Sequence, residues 1–249
     1  SRISTAIAIT VGSWLAAGFV HGVLNTDNFN VTGESFDYGP WRFLPYFDPN
    51  LTAAYFDQTG RYAYGRQSDA ALWAVCRLAD CFIKIVPQKD LENQLRSFHS
   101  LVEVRLAKQI QWRLGIAFDS DDSERDAALV SNLFDAAKVS QHGFDQIFHD
   151  LYGGQPRIEG YAADHWKPLR ECLQDARPCN SAALEHPHFQ SQKALSMTID
   201  EVEAIWAPIA ANDDWSFLSA KLKAIHQMRK AYGGDDEVPL PRVVDGPSG

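Results

Sequence analysis

Ile3, Ile7, Val11, Trp14, Leu15 and Phe19 recur at spacings of three, four and seven, which sets them on one helix face and predicts a helix to about Val20. The period then changes. Phe29-Asn30-Val31 and Ser35-Phe36-Asp37 are short extended runs separated by Thr32-Gly33-Glu34, the arrangement of a small β-hairpin. From Tyr38 to Gln67, Gly-Pro, Leu-Pro and Asp-Pro steps alternate with more tyrosine and phenylalanine than a solvated tether carries, so an ordered loop is expected. A helical period returns over about 68–86, 89–114, 123–138, 141–151, 165–175, 199–210 and 215–231. Gly233 to Gly249 holds glycine, proline and little apolar material and reads as a surface tail. The pattern as a whole predicts a mainly α fold with a small β-hairpin, in one domain over 1–232.

Composition narrows the function. Of 249 residues, 45% are hydrophobic and 22% charged, which is ordinary usage for a folded chain. A formal net charge of -9, with no local basic patch evident along the sequence, disfavours nucleic acid and anionic membrane surfaces as partners. Ala6 to Leu24 contains no Asp, Glu, Lys or Arg and is long enough to raise a membrane span. Thr10, Ser13, three glycines and His21 argue instead for a buried core helix, and no membrane association is expected. Cys76, Cys81, Cys172 and Cys179 lack C-x-x-C spacing, so neither a disulfide framework nor a zinc site is indicated and a reducing compartment fits. The chain opens on Ser1 in what reads as mid-helix, which leads us to expect an upstream piece that was removed or belongs to another chain.

Candidate chemistry concentrates between residues 21 and 40. Protein kinases place a loop of form H-x-D-x-x-x-x-N after a long helix, then a hairpin ending in D-F-G. His21 and Asn28 match the histidine and asparagine of that loop, and Asp37-Tyr38-Gly39 stands where D-F-G would. The catalytic aspartate alone fails, replaced by Val23, which cannot accept a proton. An amide oxygen from Asn28 and a carboxylate from Asp37 are hard ligands suited to Mg²⁺. Asp27, beside Asn28, is the obvious replacement base. A small-molecule kinase of the aminoglycoside type shares the His-Gly opening but keeps the aspartate that Val23 displaces.

Phe19 to Asn28, then Phe36-Asp37-Tyr38-Gly39-Pro40, then Gly60-Arg61-Tyr62-Ala63-Tyr64 with Gln67 and Trp73, resemble the signature of the selenoprotein O family over roughly Trp14 to Leu78. The resemblance implies a protein-kinase-like C-lobe. It also implies ATP bound in reversed orientation, and AMP transferred to Ser, Thr or Tyr hydroxyls of protein substrates. On it, Asp27 is the catalytic base, Asn28 and Asp37 are the Mg²⁺ (or Mn²⁺) ligands, and Asp37 contacts the cofactor ATP. A bacterial cytoplasm or mitochondrial matrix is the implied location. Leu24, Phe29-Asn30 and Ser35-Phe36 depart from the family pattern by packing swaps. The glycine-rich strands, lysine, glutamate and arginines that grip ATP in the family precede the helix where this chain begins, so the N-lobe is expected in cis or as a partner chain. The isolated chain is then expected to be inactive. The alternative is a non-catalytic interaction subunit that retains only the C-lobe.

Other candidates have simpler explanations. His186 and His188 flank Pro187 with no third ligand at clear spacing and read as loop residues. Asp119, Asp121 and Asp122 lack the glycine and distal glutamate of a calcium loop, and Ser123 with Asp126 reads as the cap of the next helix. His21 is expected to buttress the loop rather than to react.

Overall fold

The computed structural model describes residues 2–234; most of the expected tail, 235–249, lies outside the described residues. Helix α1 (Arg2–Ala17) buries Ile7, Ala8, Val11, Leu15 and Ala16, the face its apolar spacing anticipates. It stops three residues earlier than expected. Gly18 takes a φ of +69°, a left-handed conformation that ends the helix, and its N–H donates to the Leu15 carbonyl. Phe19–Val20 (β1) then pairs antiparallel with Arg42–Phe43 (β2), Phe19 opposite Phe43. At 16 residues α1 is a core helix, and no helix among the described residues is long and apolar enough to cross a membrane.

The expected hairpin contracts to a single antiparallel bridge between Phe29 and Ser35, closed by Asn30 N–H on the Glu34 carbonyl (2.8 Å). Its tip is fastened to α1, because Thr10 Oγ1 donates to the Gly33 carbonyl at 2.7 Å. The following loop is ordered by buried polar groups. Asp57 accepts from the N–H groups of Arg61 and Tyr62, both at 2.8 Å, and the Tyr64 hydroxyl donates to the Leu15 carbonyl at 2.5 Å.

Beyond the loop run α2 (Gln67–Asp80), α3 (Gln88–Leu95) and α4 (Phe98–Arg113). The single helix expected over 89–114 is broken at Arg96–Ser97. The break lets α4 bury Phe98, Val102, Leu106 and Ile110 along α1, while the polar α3 buries nothing. The two axes come close at Gly12, where a Cβ would lie 2.8 Å from the Val102 carbonyl oxygen. Ile116–Ala117 (β3) pairs with Arg177–Pro178 (β4), a second two-stranded sheet that no periodicity signalled.

Helix α5 (Ser123–Val139) is capped by Asp122 rather than Ser123; the Asp122 carboxylate accepts from the N–H groups of Glu124 and Arg125. The remaining helices are α6 (Phe144–Asp150), α7 (Lys167–Leu173), the short α8 (Pro187–Gln190), α9 (Ile199–Asn212) and α10 (Ser216–Ala231). Among the described residues the fold is mainly helical, with two small antiparallel sheets. One core cluster joins α1, α4, α5, α6 and α7 through Val11, Ile110, Leu129, Phe144 and Leu169. Arg113 ties three of these elements together. Its guanidinium donates to the Ala16 carbonyl and to Asp145, each at 2.7 Å, and lies 3.8 Å from the Phe148 ring centroid.

Candidate functional site

Residues 21–40 leave β1 and return to β2, so both ends of the segment are anchored in one small sheet. His21 is fully buried, and burial lowers its pKa while the nearby Asp37 charge opposes the shift. A neutral ring fits its partners. Nε2 lies 2.9 Å from Ser35 Oγ, and Ser35 Oγ donates to the Asn28 carbonyl at 2.5 Å. With Nε2 as donor, three bonded groups connect the start of the segment, the return arm and Asn28. Trp14 and Tyr38 flank the ring at 5.5 and 5.1 Å. The histidine therefore holds the loop, as the sequence leads one to expect.

Asn28 closes a short 3-10 turn, Thr26–Asn28, and is 4% exposed. Its Nδ2 donates to the Val23 carbonyl at 2.8 Å. Only the amide nitrogen can donate, so this bond fixes the side chain and leaves Oδ1 as its ligand atom. Asp27, in the same turn, is exposed and its carboxylate accepts no hydrogen bond from a described residue. Val23, where kinases carry their base, is half-buried and apolar.

Asp37 is exposed and has a φ of +58°, a left-handed backbone that costs a non-glycine residue roughly 1–2 kcal/mol and that aspartate tolerates better than most. The Tyr38 hydroxyl holds the turn by donating to the Ser35 carbonyl at 2.9 Å. The Phe29–Ser35 bridge brings the two arms together, with Asn28 and Asp37 just outside it.

The donor set suits a hard divalent cation: one oriented amide oxygen and one carboxylate with no described hydrogen-bond partner. Among the described residues no group of three or more His, Cys, Asp or Glu could hold a metal by itself. Asn28 and Asp37 by themselves would leave most coordination positions of such an ion to other ligands. His186 and His188 form no ligand pair. The His186 ring caps α8 by accepting from the His188 N–H, and His188 packs edge-on against His149 and is half-buried, where burial pushes its pKa down to about 4.

Two contributors carried no role in the sequence reading. Gln67, fully buried at the start of α2, accepts from the His21 N–H and donates to the Phe19 carbonyl, each at 2.9 Å. The Tyr62 hydroxyl donates to Asn25 Oδ1 at 2.6 Å, two residues before Asp27. Both residues belong to the stretch that carries the family resemblance, which named them without giving either a role. A cavity of about 630 Å³ between α4 and α10, lined by Trp112, Met197, Ile225, Met228 and Tyr232 among others, includes no residue of 21–40 and lies apart from this site.

Residues 2–226 match the family described as protein adenylyltransferase SelO. A protein nucleotidyltransferase YdiU of Rhodopseudomonas palustris is 50% identical over 223 residues, which cover 83% of this chain and 45% of that protein. The namesake from Synechocystis is 32% identical over 227 residues, 84% of this chain and 48% of the relative. The chain spans about half the length of the curated relatives it matches.

Proposed function

Because the chain belongs to the SelO protein adenylyltransferase family, we propose that it is the kinase-like C-lobe of an enzyme that moves AMP from ATP to Ser, Thr or Tyr hydroxyls of proteins. The observation that carries this reading is the locked Asn28 amide, with its oxygen left for a cation, beside a left-handed Asp37 and a valine at the kinase base position. Asp27 receives the proton of the acceptor hydroxyl, and its exposure leaves it open to an incoming side chain. The hydroxyl oxygen bonds to the α-phosphorus as the bond to the β-phosphate breaks, so pyrophosphate departs. Asn28 and Asp37 hold Mg²⁺ (or Mn²⁺), which offsets phosphate charge when bound. His21, Ser35 and Gln67 hold this loop in shape through their buried hydrogen bonds. The N-lobe, in cis or as a partner chain, grips the nucleotide.

The test uses the complete protein with ATP labelled at either the α or the γ phosphate. Transfer of α-label to protein, lost in Asp37→Ala and reduced about 10²–10⁴-fold in Asp27→Asn, is expected. Transfer of γ-label instead overturns the reading. A purely non-catalytic subunit, the alternative role, predicts no transfer of either label and no effect of either substitution on partner binding.

A further inference from the structure

Although the sequence shows no basic patch, the fold gathers arginines around one exposed tryptophan. Trp73, on α2 and 44% exposed, carries two guanidinium groups: Arg61 Cζ lies 5.0 Å and Arg77 Cζ 5.8 Å from its ring centroid. Arg61 also sits 5.3 Å from the Tyr62 ring. Residues 61 and 77 are far apart in sequence, which hid the cluster. Arg77 is paired with Asp80 at 2.9 Å, and Arg66 donates to the Thr59 carbonyl. The Arg61 guanidinium makes no ion pair or hydrogen bond with any described residue.

Arg61, Arg66 and Trp73 line a cavity of about 400 Å³ together with Leu24 of the candidate catalytic loop. Tyr62, in the same wall, is fastened to Asn25 by its hydroxyl. The cavity thus borders the loop three residues before Asp27. Arg61 Cζ lies over the Trp73 and Tyr62 rings, which limits the space its guanidinium samples while its N–H groups stay open to a carboxylate, which can accept two parallel hydrogen bonds from such a fork. Part of the ordering cost of binding is met in advance.

We infer that this cavity reads an acidic side chain of the acceptor protein close to the hydroxyl that is modified, which makes Arg61 a specificity-determining residue for the reaction proposed above, on which the inference rests. An extended peptide advances about 3.3 Å per residue, so a carboxylate a few residues from the hydroxyl reaches Arg61 while the hydroxyl faces Asp27. A nucleic acid fits less well. Backbone phosphates call for a row of unpaired cations, whereas here Arg77 is already paired with Asp80, Asp69 lines the same cavity as Arg61 and Arg66, and the chain's net charge is -9.

The experiment is fluorescence anisotropy of the intact chain with fluorescein-labelled serine peptides. Across the set a single Glu, or Gln as its neutral match, moves from four residues before the serine to four after it. At one or two positions the Glu peptide is expected to bind about tenfold tighter than its Gln match, a difference of about 1.4 kcal/mol. Arg61→Gln brings that ratio to about one without weakening the Gln peptide, and Arg61→Lys, which keeps charge but loses the fork, gives an intermediate ratio. Because Arg61 is exposed, an unchanged thermal midpoint confirms that these variants fold. A Glu-to-Gln ratio of one at every position, a ratio that survives Arg61→Gln, or no saturable binding of any peptide overturns the inference. So does Arg61-dependent displacement of the peptide by single-stranded DNA, which assigns the patch to nucleic acid, or by Mg²⁺-ATP, which assigns it to the nucleotide. An Arg61-dependent Glu preference in a protein whose complete form transfers no α-label leaves the recognition site standing and removes only the adenylyltransferase reading.

Discussion

Removing the Asp145 carboxylate should unfold this chain at markedly lower temperature, because it strands a largely buried cation. The Arg113 and Asp145 side chains are only 15% and 18% exposed, and their contact is 2.7 Å. Asp145 also accepts from Ser196 Oγ at 2.7 Å, so Asp145→Ala leaves two partly buried donors short of an acceptor. Breaking one side of a buried pair costs about 3–5 kcal/mol. Arg113 retains the Ala16 carbonyl and the Phe148 ring, which places the cost at the lower end, about 3 kcal/mol. For a chain of this size each kcal/mol moves the midpoint about 2–4 °C, so a fall of roughly 6–12 °C is expected by circular dichroism. Replacing both partners, Arg113→Met with Asp145→Leu, should recover most of it, since apolar groups of similar shape need no counter-ion. An Asp145→Ala midpoint within 2 °C of the parent, or a double variant worse than either single one, would refute the reasoning.

Gly18→Ala should destabilise by at least about 2 kcal/mol, through the left-handed penalty and a Cβ only 2.5 Å from the Phe144 ring, while Gly39→Ala, with only Asp37 Oδ1 at 3.9 Å, should be near neutral; equal urea midpoints for the two would count against this. Burial lowers the pKa of His21, His149 and His188, the last to about 4. Below their ordinary value near 6.5 the unfolded chain therefore binds more protons, so the stability these groups contribute is full above 6.5 and is lost as pH falls toward 4. Urea midpoints should drop over that window, and less steeply in His188→Asn; an identical slope in the variant contradicts the assignment. The isolated chain should bind Mg²⁺-ATP weakly or not at all by calorimetry, because two protein oxygens hold little of the nucleotide. A dissociation constant in the low micromolar range, about -8 kcal/mol, shows that the nucleotide sits elsewhere.

Long amphipathic stretches were legible because burial imposes a period: Ile3, Ile7, Val11, Trp14 and Leu15 of α1 fall on or against its core face, and α5 and α10 begin and end within a residue or so of their expected bounds. Two-residue strands have no period to read, so β1 with β2 and β3 with β4 stayed hidden until partners distant in sequence met. Helix ends failed where one backbone angle decides, as at Gly18. In the candidate site, His21, Asp27, Asn28 and Asp37 stood out because their spacing is local. Gln67 acts on His21 from 46 residues away, and Arg61 meets Trp73 only because the loop folds back onto α2, so neither relation leaves a trace in a linear pattern.

The Gln67 side chain has a further consequence. In a strand, the carbonyl of one residue and the N–H two residues on point the same way, and a parallel neighbour satisfies both with the N–H and C=O of a single residue. Gln67 does this with its side-chain amide, donating to Phe19 and accepting from His21. Strand β1 is thus the middle of a three-member ladder, with β2 on one edge and one glutamine as the whole of the third strand. Glutamate at that position has nearly the same shape but no donor. Changing one NH₂ to an oxygen there turns a rung of the ladder into two oxygens facing each other in a fully buried position, at the point from which the Asn28 loop departs.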